Sequence, residues 1–347
     1  MIHPEKIIFG LDSFGDIPRD SEGKLFTQAE AIRQVIKEAK KADELGIDVI
    51  ALGEHHRVDY AISSPDTVLA AIAAITKKIT LATGVTVLSS DDPVRVYERF
   101  ATLEAISSGR AEAVLGRGSF TESFPLFGYD LQDYDLLFEE KLNLYSKLLD
   151  EKPVTWEGST RAPLKNADVF PKTEKGKIAT RIAVGGSPES VVRTAKYGFP
   201  LTLAIIGGAP ARFKAYIELY KKAAAKFGQQ TYPVAVHSHG VIADTDEEAI
   251  ELGWEHIGPS FTRIGRERGW APMSREQYDN EVKGGSFYIG SPETVARRIA
   301  GMLKTLGAGR FELVYGAGEL PANIRERTIE LYATQVIPRV RELLSEE

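Results

Sequence analysis

A chain of 347 residues, 43% of them hydrophobic and 27% charged, has the make-up of an ordinary soluble globular protein, long enough for two average domains or for one α/β barrel with insertions. A formal net charge of −6 without a long basic run argues against nucleic acid as a partner, and no apolar run approaches a membrane span. Cys is absent, which excludes disulfides, thiolate metal sites and Cys nucleophiles, so any redox chemistry must be carried by a bound cofactor.

The opening MIHPEKIIFG has neither the basic start nor the apolar core of a signal peptide, and the cytoplasm is the expected location. Residues 7–11 read as a short apolar strand, followed by a polar loop, 12–26, of the kind that carries function at strand ends. From Thr27, the positions Ile32, Val35, Ile36, Ala39, Ala42 and Leu45 form a helical stripe that Gly46 stops. Residues 47–52 are a nearly continuous apolar strand, as in a sheet buried on both faces, and Gly53-Glu54-His55-His56-Arg57 follows it directly. A helix from Pro65 turns Val68, Leu69, Ile72 and Ile75 inward.

Residues 79–88 read as one β-branched strand with Gly84 in its middle. Asp92 is a candidate N-cap, Pro93 the first helical residue, and Val96, Phe100 and Leu103 the apolar face of the next helix, with Tyr97 and Arg99 expected on its exposed side. A strand at 111–115 opens into Gly116-Arg117-Gly118, and 134–149 supplies a fourth helix. Residues 151–180 break the rhythm as an excursion with room for a small hairpin. Strands at 181–185, 201–205, 234–241 and 310–314 then alternate with helices at 188–197, 210–227, from Thr245 to about Ile257, 292–306 and 321–344, with a second irregular region at 258–289.

Eight strands alternating with helices predict a single-domain (β/α)8 TIM barrel over 1–347, with insertions after the fourth helix and before the eighth strand. An open doubly wound sheet is the alternative, but the first loop lacks the glycine spacing of a dinucleotide fingerprint.

Both the His55-His56 loop and the Gly116–Gly118 loop fall after strand C-terminal ends, where such folds place their chemistry. A vicinal His pair lacks the i, i+4 spacing of a helical zinc pair. His237 and His239 share one face of a strand and are expected as pocket-lining or packed residues, so no metal site is expected. Gly185-Gly186-Ser187-Pro188-Glu189-Ser190 has the design of an anion site: glycines for close approach, a Ser cap, Pro at the first helical position and free N–H groups at the helix start. An ordinary helix start is the alternative, since Ser291-Pro292-Glu293 shows that the chain uses one elsewhere.

TGVTVL at 83–88, DPVRVYERFATLEAISSGR at 92–110 and GRGSFTESFPLFGYD at 116–130 closely resemble the central signature of the bacterial luciferase-like, flavin-dependent monooxygenases. Further matches at 52–56, 185–188 and 289–292 extend the resemblance over nearly the whole chain. It implies a barrel that uses reduced FMN, supplied by a separate flavin reductase, with O2 to oxygenate a small organic substrate. The same resemblance implies His55 as the catalytic acid/base, and an imidazole near its ordinary pKa can exchange protons at neutral pH. It implies Thr83, Gly84 and Val85 against the flavin ring with a cis Gly84–Val85 bond, Arg117 and Gly118 beside the flavin, and Gly185, Gly186, Ser187 and Ser190 at its phosphate. Luminous members carry a reactive Cys where this chain has Gly116, a change expected to open space beside the ring and to argue against light emission. A homodimer through the helices at 65–76 and 93–107 is also implied. Two alternatives stand beside this reading: a deazaflavin-dependent oxidoreductase on the same fold, and a non-catalytic flavin-binding protein.

Overall fold

The computed structural model describes residues 3–346. Eight parallel strands follow in chain order: β1 Ile8–Ser13, β2 Val49–Leu52, β3 Thr80–Thr83, β4 Ala111–Gly116, β5 Ala179–Val184, β6 Leu201–Ala204, β7 Ala235–Ile242 and β8 Arg310–Val314. Each pairs with the next, and β8 pairs back onto β1 with Phe311 opposite Phe9, so the sheet closes into the expected barrel. Among the described residues no helix is long and apolar enough to cross a membrane.

The period of two along each strand sorts side chains to opposite faces. Phe9, Leu11, Ile50, Leu52, Leu81, Leu115, Leu203 and Phe311 belong to the large cluster packed against the helices. The other parity faces the barrel interior. One interior set is charged: Arg310 pairs with Glu112 at 2.8 Å and with Glu312, and Arg181 donates to Thr202 at 3.0 Å. Nearer the strand C-terminal ends that parity offers Gly116, Ala183 and Ala204, residues too small to fill the barrel, and a cavity opens there.

The helices start where the sequence signals lie. Asp92 accepts hydrogen bonds from Val94 and Arg95 at the head of helix Pro93–Ser107, and Ser187 caps helix Pro188–Lys196. The excursion after the fourth long helix holds the small antiparallel hairpin, Val154–Trp156 with Leu164–Ala167.

Five expectations need correction. Ile75, expected to turn inward, is 44% exposed. The strand read at 79–88 is broken: β3 ends at Thr83, the Gly84–Val85 bond is cis, and only Thr86–Val87 resumes pairing, with Leu115 and Gly116. The region read as irregular, 258–289, is ordered. Helix Asp246–Glu267 runs through Gly258 and Pro259, helix Arg275–Gly284 follows behind a Ser274/Gln277 capping box, and strand Tyr288–Gly290 pairs with β7. The missed signal was that Phe261 and Ile264 continue the stripe of Ile257 at helical spacing. The last helix is also interrupted, by a π-helical turn at Tyr332–Val336 just ahead of Pro338, whose missing N–H removes a normal helical bond. Tyr97, expected on an exposed face, is only 1% exposed, and its hydroxyl donates to the Pro171 carbonyl at 3.2 Å.

Candidate active site

The cavity at the C-terminal ends of the strands has a volume of about 310 Å³, within the range of small-molecule sites. Its wall includes His55, Gly84, Val85, Arg117, Gly118, Gly185 and Ser190, which the sequence drew from four separate segments. Thr83, Gly186 and Ser187 are not part of that wall. Thr83 has the outward parity of Leu81, and its hydroxyl is used on the β4 backbone, donating to the Val114 carbonyl at 3.0 Å and accepting from the Val114 N–H at 3.1 Å. Ser187 accepts from the Ser190 N–H at 3.3 Å and donates to Glu189 at 2.9 Å. Gly186 has a φ of +131° and open space where a side chain would stand, with Tyr216 Oη 3.8 Å away.

His55 is enclosed by rings. Tyr60 lies 4.5 Å away between centroids, Phe14 5.2 Å and Phe120 5.3 Å. Its Nδ1 has no hydrogen-bond partner, and the residue is held through its backbone N–H, which donates to the Ile62 carbonyl at 3.0 Å. Burial, aided by the nearby Arg57 cation, pushes the imidazole down to about 3. Burial thus favours the neutral imidazole at His55, against the expectation of one near its ordinary pKa. His56 meets Glu54 at 2.9 Å, while the other Glu54 oxygen accepts from the Val87 N–H at 2.8 Å and ties this loop to the short strand after Val85.

His237, across the cavity on β7, is held differently. Its Nδ1 lies 2.8 Å from Asp12 Oδ2 on β1, and the pair is buried. Burial opposes its charge, but the hydrogen bond and the charge of Asp12 outweigh it and raise the imidazole above its ordinary range. Burial in turn pushes Asp12 up to about 6, against the pull of His237. Asp12 fits because Gly84 has no side chain: a Cβ there would stand 2.7 Å from Asp12 Oδ2. His239, two residues along the same face, has no such partner, and burial pushes it down to about 3.

The sequence reading placed Asp12 at the start of a loop and did not single out Asp16. The latter lines the cavity, accepts from the Gly318 N–H at 2.7 Å through Oδ1 and leaves Oδ2 without a partner. Burial pushes it up to about 7. The signal for Asp12 was its strand parity with Gly10, both opposite to Phe9 and Leu11.

Asp12, His237 and Glu312 offer ligand atoms within 4.8 Å of one another. Glu312 is already paired with Arg310, however, whose cation takes the place that a metal's charge would fill. Gly116 does not open space as expected: a Cβ there would meet Val85 Cγ2 at 2.7 Å, so Val85 occupies the room that a side chain would need. Arg117 bonds Asp135 at 2.6 Å and stacks over Tyr134.

At the mouth, Arg57 gathers three segments. It bonds Asp59 at 3.0 Å, Glu267 at 2.6 Å and Glu122. Arg268 adds a bond to the Ser119 carbonyl at 2.8 Å and lies over the rings of Phe120 and Trp270.

The (β/α)8 barrel holds a mostly apolar cavity with buried titratable groups at the C-terminal ends of its strands, where barrel enzymes place their active sites. The sequence pattern of the Luciferase-like monooxygenase family matches residues 17–310, and the chain belongs to that family. It is 27% identical to the alkanal monooxygenase alpha chain of Photorhabdus luminescens over 69% of this chain, spanning 65% of that protein, just under two thirds of its length. It is 28% identical to the limonene 1,2-monooxygenase of Rhodococcus erythropolis, over 89% of this chain and 81% of that protein. Two solved structures share the fold. The FMN-bound oxygenating constituent of 3,6-diketocamphane monooxygenase from a Pseudomonas putida plasmid has a TM-score of 0.77 at 21% identity, covering 96% of this chain and 99% of the other. An F420-dependent secondary alcohol dehydrogenase has a TM-score of 0.75 at 19% identity, with the same coverage.

Proposed function

We propose that this chain is an FMN-dependent monooxygenase whose substrate is a small, largely apolar organic molecule, with the flavin phosphate at Gly185–Ser190 and the reduced flavin supplied by a separate reductase. One observation carries the cofactor reading. Ser190 is 5% exposed, its hydroxyl lacks a protein partner, and it stands beside Gly185 on the cavity wall at the head of a nine-residue helix. A buried hydroxyl left unpaired is costly, and a phosphate oxygen at a helix N-terminus would satisfy it.

Reduced FMN, when bound, would supply the two electrons and two protons with which O2 gives one oxygen atom to the substrate and one to water. The chain's own residues have simpler tasks. Gly186 keeps the approach to the phosphate open, Arg117 adds positive charge near the loop, and Gly84 and Val85 form one side of the ring's berth. Phe14, Tyr60, Phe120 and Trp270 keep water from the reacting end and favour an apolar substrate. Neutral His55 sits among these rings as a hydrogen-bonding wall.

The test is anaerobic titration with FMN, riboflavin and deazaflavin F420. FMN should bind, and Ser190→Ala should weaken it about tenfold, the loss of one hydrogen bond to a charged group, while riboflavin affinity stays unchanged. Equal loss for both flavins would remove the phosphate assignment. Tight binding of F420 with no use of O2 would identify a deazaflavin oxidoreductase instead, and FMN binding without turnover a non-catalytic flavoprotein.

A further inference from the structure

We infer that His237, positioned by Asp12, is the group that exchanges protons in the cavity, in place of the His55 that the Glu54-His55-His56 loop suggests. Four histidines line this cavity, and three of them meet the ring of Phe14, with centroids at 5.2 Å for His55, 6.0 Å for His237 and 5.9 Å for His239, while His56 meets Phe127 at 5.1 Å. Of the three around Phe14 only His237 has a carboxylate on its ring, since the Nδ1 atoms of His55 and His239 have no partner; His56 also meets a carboxylate, Glu54, but there the bond takes Nε2, the nitrogen that His237 leaves free of Asp12. One proton lies between His237 Nδ1 and Asp12 Oδ2 in either charge state. Nε2 is then the nitrogen left to give a proton to an oxygen acceptor in the cavity and to take one back from water. A buried carboxylate that orients an imidazole and stabilises its charged form is a recurrent arrangement for proton transfer.

The surroundings fix which partner governs the imidazole. Asp12 comes from β1, Glu312 and Arg310 from β8, Glu112 from β4 and His239 from β7 itself. Glu112 and Glu312 are both paired with Arg310, so the carboxylate bonded to the ring is Asp12 alone. Gly84 completes the device by leaving the volume that Asp12 occupies. Nothing in this arrangement depends on which flavin binds. Asp12 acts through His237 and is a positioning residue.

The raised imidazole sets the sign of the pH effect. The donor form of His237 persists above the ordinary imidazole value of about 6.5, so a rate that needs it is full below the raised value and falls as pH rises through it. Removing the Asp12 charge lowers the imidazole pKa and moves that fall to lower pH.

Two measurements test the inference. The first is a ¹⁵N-imidazole NMR titration of the flavin-free protein, with the His237 resonance assigned by its loss in His237→Gln. It should titrate above the ordinary range in wild type and at least one pH unit lower in Asp12→Asn, with His55 and His239 neutral throughout. A His237 that stays neutral from pH 5 upward, or one whose titration ignores Asp12→Asn, overturns the inference. The second is single-turnover oxidation of photoreduced FMN by O2, which rests on the FMN reading where the titration does not. His237→Gln should slow it by about 10²-fold or more, the usual worth of a positioned acid, with FMN affinity retained. Asp12→Asn should shift its pH profile, and Asp16→Asn, which removes a cavity carboxyl that burial pushes up to about 7, should leave the limb in place. Should Asp12→Asn fail to fold, the wild-type titration still decides. An unchanged rate in His237→Gln, in a protein that binds FMN normally, would also overturn it.

Discussion

The β7 side of the cavity and the β2 side each present a histidine, and the two are held in opposite states. His237 has a carboxylate at 2.8 Å and is raised; His55 has three aromatic rings and an arginine nearby and is pushed down to about 3. His239 separates the causes. It shares the strand, the face and the burial of His237 but lacks the partner, and it behaves like His55. Burial is therefore the leading cause that lowers an imidazole in this cavity, with the neighbouring His237 charge adding to it at His239 and Arg57 at His55, and one hydrogen-bonded carboxylate is enough to reverse the outcome.

The largest effect is expected where the β7 side can be broken without touching either member of the pair. In Gly84→Ala the new methyl would stand within 2.8 Å of both Asp12 carboxylate oxygens, and a buried carboxylate packed between strands has nowhere to retreat. Overpacking of this kind costs about 1–3 kcal/mol, and here the displacement falls on the bond that holds His237. Reoxidation of reduced FMN should slow by roughly 10²-fold, the loss of a positioned acid, with the His237 resonance moved toward its Asp12→Asn position. A variant that folds, titrates normally at His237 and turns over at the wild-type rate would show that the Gly84 space serves something other than Asp12.

Much of this contrast was hidden in the sequence for a physical reason. Strand order follows from local periodicity and appeared where the sequence put it, and the cis Gly84–Val85 bond appeared where the family resemblance implied it. The state of His55 depends on Phe14, Tyr60 and Phe120, which reach it from three different segments, and only Tyr60 is near in the chain. Asp12 looked like the first residue of a polar loop because β1 was ended at Leu11; in the barrel the strand runs on to Ser13. The helix from Thr245 was ended at about Ile257, but the periodicity of Ile257, Phe261 and Ile264 carries it through Gly258 and Pro259, as tertiary packing overrides local propensity. The room at Gly116 was misjudged because Val85 comes from a neighbouring strand segment.

A smaller effect is expected on the β2 side. His55→Gln keeps a neutral hydrogen-bonding group of similar reach, so if His55 acts as a wall and not as an acid, FMN reoxidation should slow by no more than about tenfold, the worth of a neutral hydrogen bond. The pH profile should keep its shape. A loss of 10² or more with the pH limb abolished would restore His55 to the acid/base role and break the comparison.

The smallest effect is expected at the mouth. Arg57 draws the β2 loop, the loop after β4 and the end of helix Asp246–Glu267 together through Asp59, Glu122 and Glu267. Glu267 is nearly half exposed and its pair contributes little, but Arg57 and Asp59 are largely buried; with Arg263 still 3.0 Å from Asp59, Arg57→Met should lower stability by about 1–3 kcal/mol. Its effect on His55 is a separate matter. The Arg57 cation is the second cause, after burial, of the low imidazole pKa, so removing it should let that value rise only part of the way toward normal. ¹⁵N-imidazole NMR of Arg57→Met should find His55 still neutral at pH 7, with a few-fold faster release of FMN through a looser mouth. If His55 instead becomes protonated near neutrality in this variant, charge and not burial holds it neutral, and the two sides of the cavity differ by one removable arginine.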